Sequence, residues 1–438
     1  MRTLANRVLA LCVPLTPLSA SISFFPVFRW IGWLATTVAV IAAAISWLSD
    51  ENRSALYPTL IGAIVACLVF MGIAFHGLPA QSAYIEIVQL LVLWVILCHY
   101  RTVIGSPRFN LVALAIVALM VLINFSAEST FELFKNNRSW TSPIFSNPSL
   151  FGMAFVVLVI FSFMLSRAIL APRLKLFAYA LCAVAMLFIA ASGSRTSMVA
   201  LLVFFAAYAF GTRFGGNRTL LWGGALLSLV LAPVITLALP AAVGSHINLL
   251  PKANLLPKAA LPTTQHSTST CIPTPYSVCP PTQPLPDVDN RGGGPLAVNK
   301  SLTTGREIIW PKVIELSGEA PIWGHGLGSS PAGFMPYPFT GGVHPHSGFL
   351  QAYYQFGLIG LALWVLLWVI LFARAINVHD PNSRSISVAV LCAACVLETT
   401  EIIFLQTHAG IGVALGILAT AEFFPSTVGN SAESTAHP

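Results

Sequence analysis

Apolar runs of roughly bilayer length, separated by short polar breaks, recur along the 438 residues, and nothing else constrains the folding of this chain as strongly. A helix needs about 20 predominantly apolar residues to cross the hydrocarbon core. Twelve candidate spans fall near 8–27, 30–48, 56–75, 84–100, 109–125, 149–166, 174–192, 196–211, 219–243, 349–373, 385–404 and 408–424. Only 8% of the residues are charged and 56% are hydrophobic, whereas soluble domains carry roughly 25% charged residues. So few charges cannot cover a water-facing surface, which excludes a soluble enzyme and a nucleic-acid-binding protein. The chain reads as an all-α polytopic membrane protein. Pro14, Pro17 and Pro26 interrupt the first span, which is tolerated where neighbours satisfy the freed carbonyls. A cleaved leader is disfavoured there, because two prolines break the apolar stretch and removal would leave an odd number of spans.

Basic residues in short loops set the orientation. With the N-terminus inside, the inner segments hold twelve: Arg2, Arg7, Arg53, Arg101, Arg108, Arg167, Arg173, Lys175, Arg213, Arg218, Arg374 and Arg384. The short outer loops hold four: Arg29, Lys135, Arg138 and Arg195. This predicts spans one to nine over 1–243, a large outer loop over 244–348, spans ten to twelve over 349–424 and an inner tail over 425–438. Within the loop, 249–300 is rich in Pro, Ser and Thr, a composition that buries too little apolar surface to fold alone. Cys271 and Cys279 lie in it, as a small disulfide loop or as two free thiols. The six cysteines in the spans read as small packing residues, and no metal site is evident. Residues 301–325 read as an amphipathic helix, with Ile308, Ile309, Val313, Ile314 and Leu316 among Arg306, Glu307, Lys312 and Glu315.

Ionisable groups inside spans are costly and usually functional. Here they gather toward the outer side: Glu86 at the start of span four, Arg195 in the turn between spans seven and eight, and Glu398 and Glu401 near the outer end of span eleven. His408 starts span twelve and Arg138 lies in the outer loop 126–148, while Glu422 alone sits at an inner end. Glu398 and Glu401, three apart, are expected on one helix face. A secondary transporter would place such groups near the midplane in paired repeats. Clustering at the outer boundary fits a site at lipid head-group depth instead.

Three segments carry chemistry. In Ser192-Gly193-Ser194-Arg195-Thr196-Ser197, Thr196 and Ser197 are placed to cap the next helix, and its N-terminus with Arg195 suits a phosphate. Gly305-Arg306 leads to Ile309-Trp310 and then Gly324-His325-Gly326-Leu327-Gly328, whose glycines would let backbone approach a ligand. His344-Pro345-His346-Ser347-Gly348-Phe349-Leu350-Gln351 runs into Phe356-Gly357-Leu358-Ile359-Gly360 and brings two histidines, suited to moving a proton near neutral pH, to the start of span ten.

In this order and spacing, the segments resemble the bacterial O-antigen ligase/O-antigen polymerase superfamily. The resemblance runs from about 140 to 372 and includes Pro148 after Phe145 and Asn147; Ser347 stands where family members usually have Asn. It implies a GT-C-like membrane glycosyltransferase of the bacterial inner membrane, with its active site facing the periplasm and no cofactor. It further implies a glycan donor on undecaprenyl diphosphate. Arg195 and Arg306, with Arg138, would hold the diphosphate, His346 (or His344) would act as general base, and Glu398, Glu401, Glu86 and Ser194 would support them. No metal is expected, since the two arginines can neutralise the diphosphate. The late loop and paired histidines favour a ligase acting on lipid A–core over a polymerase joining lipid-linked repeat units. A branch that glycosylates protein is less favoured, because those chains resemble longer proteins. From another class, a transporter of polyprenyl-linked substrate would need polar groups through the inner half of the bilayer, where this chain has few.

Overall fold

The computed structural model describes residues 2–20, 26–49, 56–74, 81–98, 102–104, 107–125, 148–169, 171–215, 217–226, 306–331, 345–404 and 409–423. In chain order its helices are α1 (Arg2–Cys12), α2 (Pro26–Leu48), α3 (Leu56–Ala74), α4 (Gln81–Cys98), α5 (Pro107–Phe125), α6 (Pro148–Ala168), α7 (Pro172–Ser192), α8 (Arg195–Arg213), α9 (Arg306–Ser317), α10 (Gly348–Ile376), α11 (Pro381–Thr400) and α12 (Ala409–Ala419). Five of them begin on proline, whose fixed φ suits the first turn and whose missing N–H is not needed there. Among the described residues, seven helices are long and apolar enough to cross a membrane, and shorter apolar helices cover Ala83–Cys98, Asn110–Asn124 and Gly410–Ala419. Large apolar side chains such as Leu34, Phe70, Leu176 and Leu202 stay exposed around the bundle, as lipid-facing surface requires. This is a multi-pass helical membrane protein.

Several expected spans differ in detail. The first is no single helix: α1 stops at Cys12 and a 3-10 turn follows over Thr16–Ala20, because Pro14 and Pro17 remove ladder donors. The two pieces still run beside α2. Asn6 and Ser46 share a hydrogen bond of 2.8 Å near one end, and Gly32 packs against Ser19 toward the other. The expected amphipathic helix over 301–325 is shorter, ending at Ser317 where Gly318 turns the chain. Of span nine, residues 218–226 are helical and the rest lies outside the described residues, as do 249–300, Cys271 and Cys279. Beside the helices, one short strand pair is described. β1 (Thr102–Ile104) and β2 (Ala421–Phe423) pair in parallel, with Val103 opposite Glu422. Each follows a helix running in the same direction, α4 and α12, which touch where Gly416 meets Ile96, so their trailing strands emerge side by side.

Close contacts fix which helix ends lie together. At one end, Asn377 bonds Tyr57 Oη at 3.3 Å, Arg374 bonds the Leu97 carbonyl, and Gly211 lies against Ser385. At the opposite end, Gly72 meets Leu327, Gly152 meets Ser194 and Ser197, and Gly348 meets Glu398. Small residues let membrane helices approach this closely. Glu422 lies at the first end; Glu86, Arg195, Arg306, His346, Glu398 and Glu401 gather at the second.

Candidate active site

Helix α10 is broken at Gly357, which has φ 64° and ψ −162°. In an unbroken helix the Tyr354 and Gln355 carbonyls would accept from the Leu358 and Ile359 N–H groups. Here a loop inserts between them. His325 N–H donates to the Tyr354 carbonyl and Gly326 N–H to that of Gln355, both at 2.9 Å. In return the Pro321 carbonyl accepts from Leu358 N–H at 2.8 Å and that of Ile322 from Ile359 N–H at 3.5 Å. The Tyr354 and Gln355 carbonyls and the Leu358 and Ile359 N–H groups thus all find partners in the loop, as irregular backbone at membrane depth requires. The glycines serve this docking: a Cβ on Gly324 would lie 2.4 Å from the Gln355 carbonyl, and one on Gly357 would lie 2.2 Å from the Ile322 oxygen. The glycines expected to approach a ligand thus approach another stretch of backbone.

The break turns the arm Gly348–Phe356 across the end of the bundle. Gly357–Ile376 and Pro381–Thr400 each rise about 30 Å from a shared connection, so Gly357 and Thr400 lie level. Gly348 N–H donates to the Glu401 carbonyl at 3.2 Å, so the arm gains little height. Helix α9 covers it through a separate apolar cluster of Ile309, Trp310, Val313, Leu316, Leu350 and Tyr354. The Trp310 indole N–H donates to the Pro345 carbonyl at 2.8 Å and so pins the chain just before His346.

At the junction of arm, α9 and α11 sits Glu401, its side chain only 3% exposed. Its Oε1 accepts from Arg306 Nη2 and its Oε2 lies against His346 Nδ1, both at 2.9 Å. Arg306 Nη2 also donates to the Thr400 carbonyl at 2.6 Å. His346 holds a left-handed backbone, φ 51°, which a non-glycine residue adopts only where its surroundings impose it. Its side chain is 29% exposed, the most open of the three. Ser347 next to it caps α10, its hydroxyl accepting from Leu350 N–H at 3.4 Å.

Glu398 and Glu401 do not share a helix face. Helix α11 ends at Thr400, and Glu401 is extended at φ −148°, which turns its carboxylate toward Arg306 and His346. Glu398, fully buried, instead accepts from Ile403 N–H at 3.0 Å and braces the turn. Its other oxygen lies against Gly348.

Arg195 begins α8 directly after Gly193 ends α7 in the left-handed conformation, φ 66°. The helix is not capped by Thr196 or Ser197: Ser194 is the N-cap residue, and its hydroxyl shares a hydrogen bond with Ser197 Oγ at 2.8 Å. Helices α8 and α11 pack along most of their length. With Gly211 near the end of one against Ser385 near the start of the other, only an antiparallel arrangement allows that. Sixteen residues back from Gly211 is Arg195, and sixteen onward from Ser385 is Glu401. At 1.5 Å per residue both lie about 24 Å along, which sets Arg195 level with Glu401. Arg195 is exposed.

Glu86, 3% exposed, lies at the same end but in a different cluster. It accepts from Gly328 N–H at 2.8 Å and from Gln355 Nε2 at 2.9 and 3.0 Å. Arg138, His344 and His408 lie outside the described residues. Two residues were missed by sequence reasoning. Trp310 stands in the sequence as one apolar residue of a string, and Gln355 sits at i+4 from Gln351 on the arm, where a polar pair in an apolar run is the available signal.

A family model described as O-antigen ligase matches residues 178–365, less than half of the chain. No curated protein matches the chain. The matched segment includes the Ser194–Arg195 turn, Arg306, the inserted loop, His346 and the broken helix, whereas Glu86, Glu398 and Glu401 lie outside it. The resemblance read from the sequence stands over that segment.

Proposed function

Starting from an O-antigen ligase family segment at residues 178–365, whose family supports a ligase- or polymerase-type role in lipopolysaccharide synthesis, we propose that this protein is a ligase. It transfers a finished glycan from undecaprenyl diphosphate to a sugar hydroxyl of lipid A–core, at the periplasmic face of the bacterial inner membrane. The observation that carries this reading is Glu401 holding Arg306 and His346 together, one oxygen to each.

The chemistry follows from that pairing. With Nδ1–H on a carboxylate, the imidazole presents Nε2 as the basic nitrogen. The acceptor oxygen attacks the anomeric carbon, its proton passes to His346 Nε2, and the bond to the diphosphate breaks with its electron pair leaving on undecaprenyl diphosphate. Attack opposite the leaving group inverts the anomeric centre. General-base assistance of this kind is typically worth about 10²–10⁴-fold. Arg306 and Arg195 stabilise the charge growing on the diphosphate, with Arg138 joining them from the outer loop. Glu401 fixes Arg306 in place through Nη2, which also donates to the Thr400 carbonyl. Two such cations provide preorganised stabilisation without a metal. The twelve-span, GT-C-like architecture belongs to the same reading.

The test is the fate of lipid-linked glycan in cells lacking this protein, complemented with wild type, Arg195→Ala or His346→Ala. A ligase leaves long glycan on undecaprenyl diphosphate and bare lipid A–core in the null and both variants. Accumulation of single repeat units would mean a polymerase. Normal lipid A–core glycan in every strain would leave a transporter of polyprenyl-linked substrate as the better reading.

A further inference from the structure

Glu86 has no part in the Arg306–Glu401–His346 group, yet it is a buried carboxylate at the same end of the bundle. Helix α4 brings it from a distant part of the chain to the point where the inserted loop and the arm meet. Gly328 N–H anchors the loop to one of its oxygens, and Gln355 Nε2 reaches both. Gln355 Nε2 and Gln351 Nε2 also donate to the Ser329 carbonyl, each at 3.2 Å. Both glutamines are fully buried, and among the described residues neither Oε1 has a hydrogen-bond partner. Such groups are expensive to strand, so the arrangement is maintained against a cost.

Position makes the cluster more than a loop anchor. Gln355 is two residues before the break at Gly357, and His346 is two residues before the start of the same short arm. A rigid helix of about two and a half turns joins them, so any rotation of the arm about Gly357 carries His346 away from Glu401. The loop fills the break, and Glu86 ties loop and arm to α4.

We propose that Glu86 is a positioning residue which, through Gln355, holds the arm at the angle that delivers His346 to Glu401. The proposal rests on the reading of His346 as the base. It predicts loss of turnover with little loss of donor affinity, because the diphosphate-binding arginines are on other elements.

The experiment uses full-length protein in detergent, a lipid-diphosphate-linked glycan and purified lipid A–core. Misplacement by about 1 Å can cost ~100-fold in rate. Glu86→Ala is therefore expected to lower kcat by about 10–100-fold with donor KM little changed. Glu86→Gln should restore most of the rate, since one amide oxygen can accept from both Gly328 N–H and Gln355 Nε2, as Glu86 Oε2 does. Glu86→Ala combined with Gln355→Met should cost little more than either alone, as for residues acting through one contact. Equal loss in Glu86→Gln, a rise in KM with kcat kept, or additive effects would overturn the proposal. If Glu86→Ala does not accumulate, Gln355→Met alone gives the same reading, with the same KM-against-kcat outcomes deciding it. Were His346→Ala protein to transfer glycan like wild type, the reading of the site would fall and this proposal with it.

Discussion

At the scale of single residues, the junction depends on a glycine as much as on its charged groups. A Cβ on Gly348 would lie 1.7 Å from Glu398 Oε1. The arm can start beside α11 only because that atom is missing, and only from there does Gly348 N–H reach the Glu401 carbonyl. Gly348→Ala must push Glu398 aside, and overpacking of this kind costs about 1–3 kcal/mol. A lowered thermal midpoint in detergent and a loss of transfer larger than that stability change are expected. Gly223 is the control: a Cβ there meets nothing within 4 Å, so Gly223→Ala should leave the midpoint unchanged or raise it slightly. The sequence showed Glu398 and Glu401 as a pair but not their divergence. Helical spacing continues smoothly through 401, and what ends the helix is the extended backbone that lets Glu401 meet two partners from elsewhere.

At the scale of elements, helix starts were legible and breaks were not. The starts expected near 109, 149, 174 and 385 fall within four residues of Pro107, Pro148, Pro172 and Pro381, where a fixed φ and a missing donor act locally. The break in α10 is different in kind. Gly357 was visible within Phe356-Gly357-Leu358-Ile359-Gly360, but glycines are common in membrane helices, and the cause of the break lies in a loop some thirty residues earlier. Its two displaced hydrogen bonds give way to four bonds with the loop, a long-range exchange that leaves no periodic trace. That exchange makes a prediction. The amides of His325, Gly326 and Leu358 should resist hydrogen exchange as helical amides do, although two of them are in a loop. Gly357→Ala places a side chain at φ 64°, ψ −162°, a region essentially reserved for glycine, costing about 1–3 kcal/mol, and drives its Cβ into the Ile322 carbonyl. Protection should then be lost at all three amides together. Loss confined to Leu358 would mean that the loop is held independently of the break.

Across the whole molecule, basic residues divide unequally between the two ends of the bundle. Among the described residues outside the 244–348 loop, the end opposite the junction carries Arg2, Arg7, Arg167, Arg173, Lys175, Arg213, Arg218, Arg374 and Arg384, while the junction end has Arg29 and Arg195. A basic residue kept on the cytoplasmic side during insertion is what this asymmetry records, so the junction end is expected to face outward. Arg195 departs from the rule and stands level with Arg306 and His346, where an anionic head group would gain from it. The grouping of basic residues at one end was legible because it is a property of local sequence, whereas the close packing that brings Arg306, His346 and Glu401 together is tertiary. The orientation is checked by single cysteines in a chain whose own cysteines are replaced. Ser330→Cys at the junction end should react with a membrane-impermeant maleimide once the outer membrane is permeabilised, and His379→Cys at the other end only after the inner membrane is opened. The reverse pattern would turn the junction toward the cytoplasm, where a lipid-linked glycan already carried to the outer leaflet could not reach it.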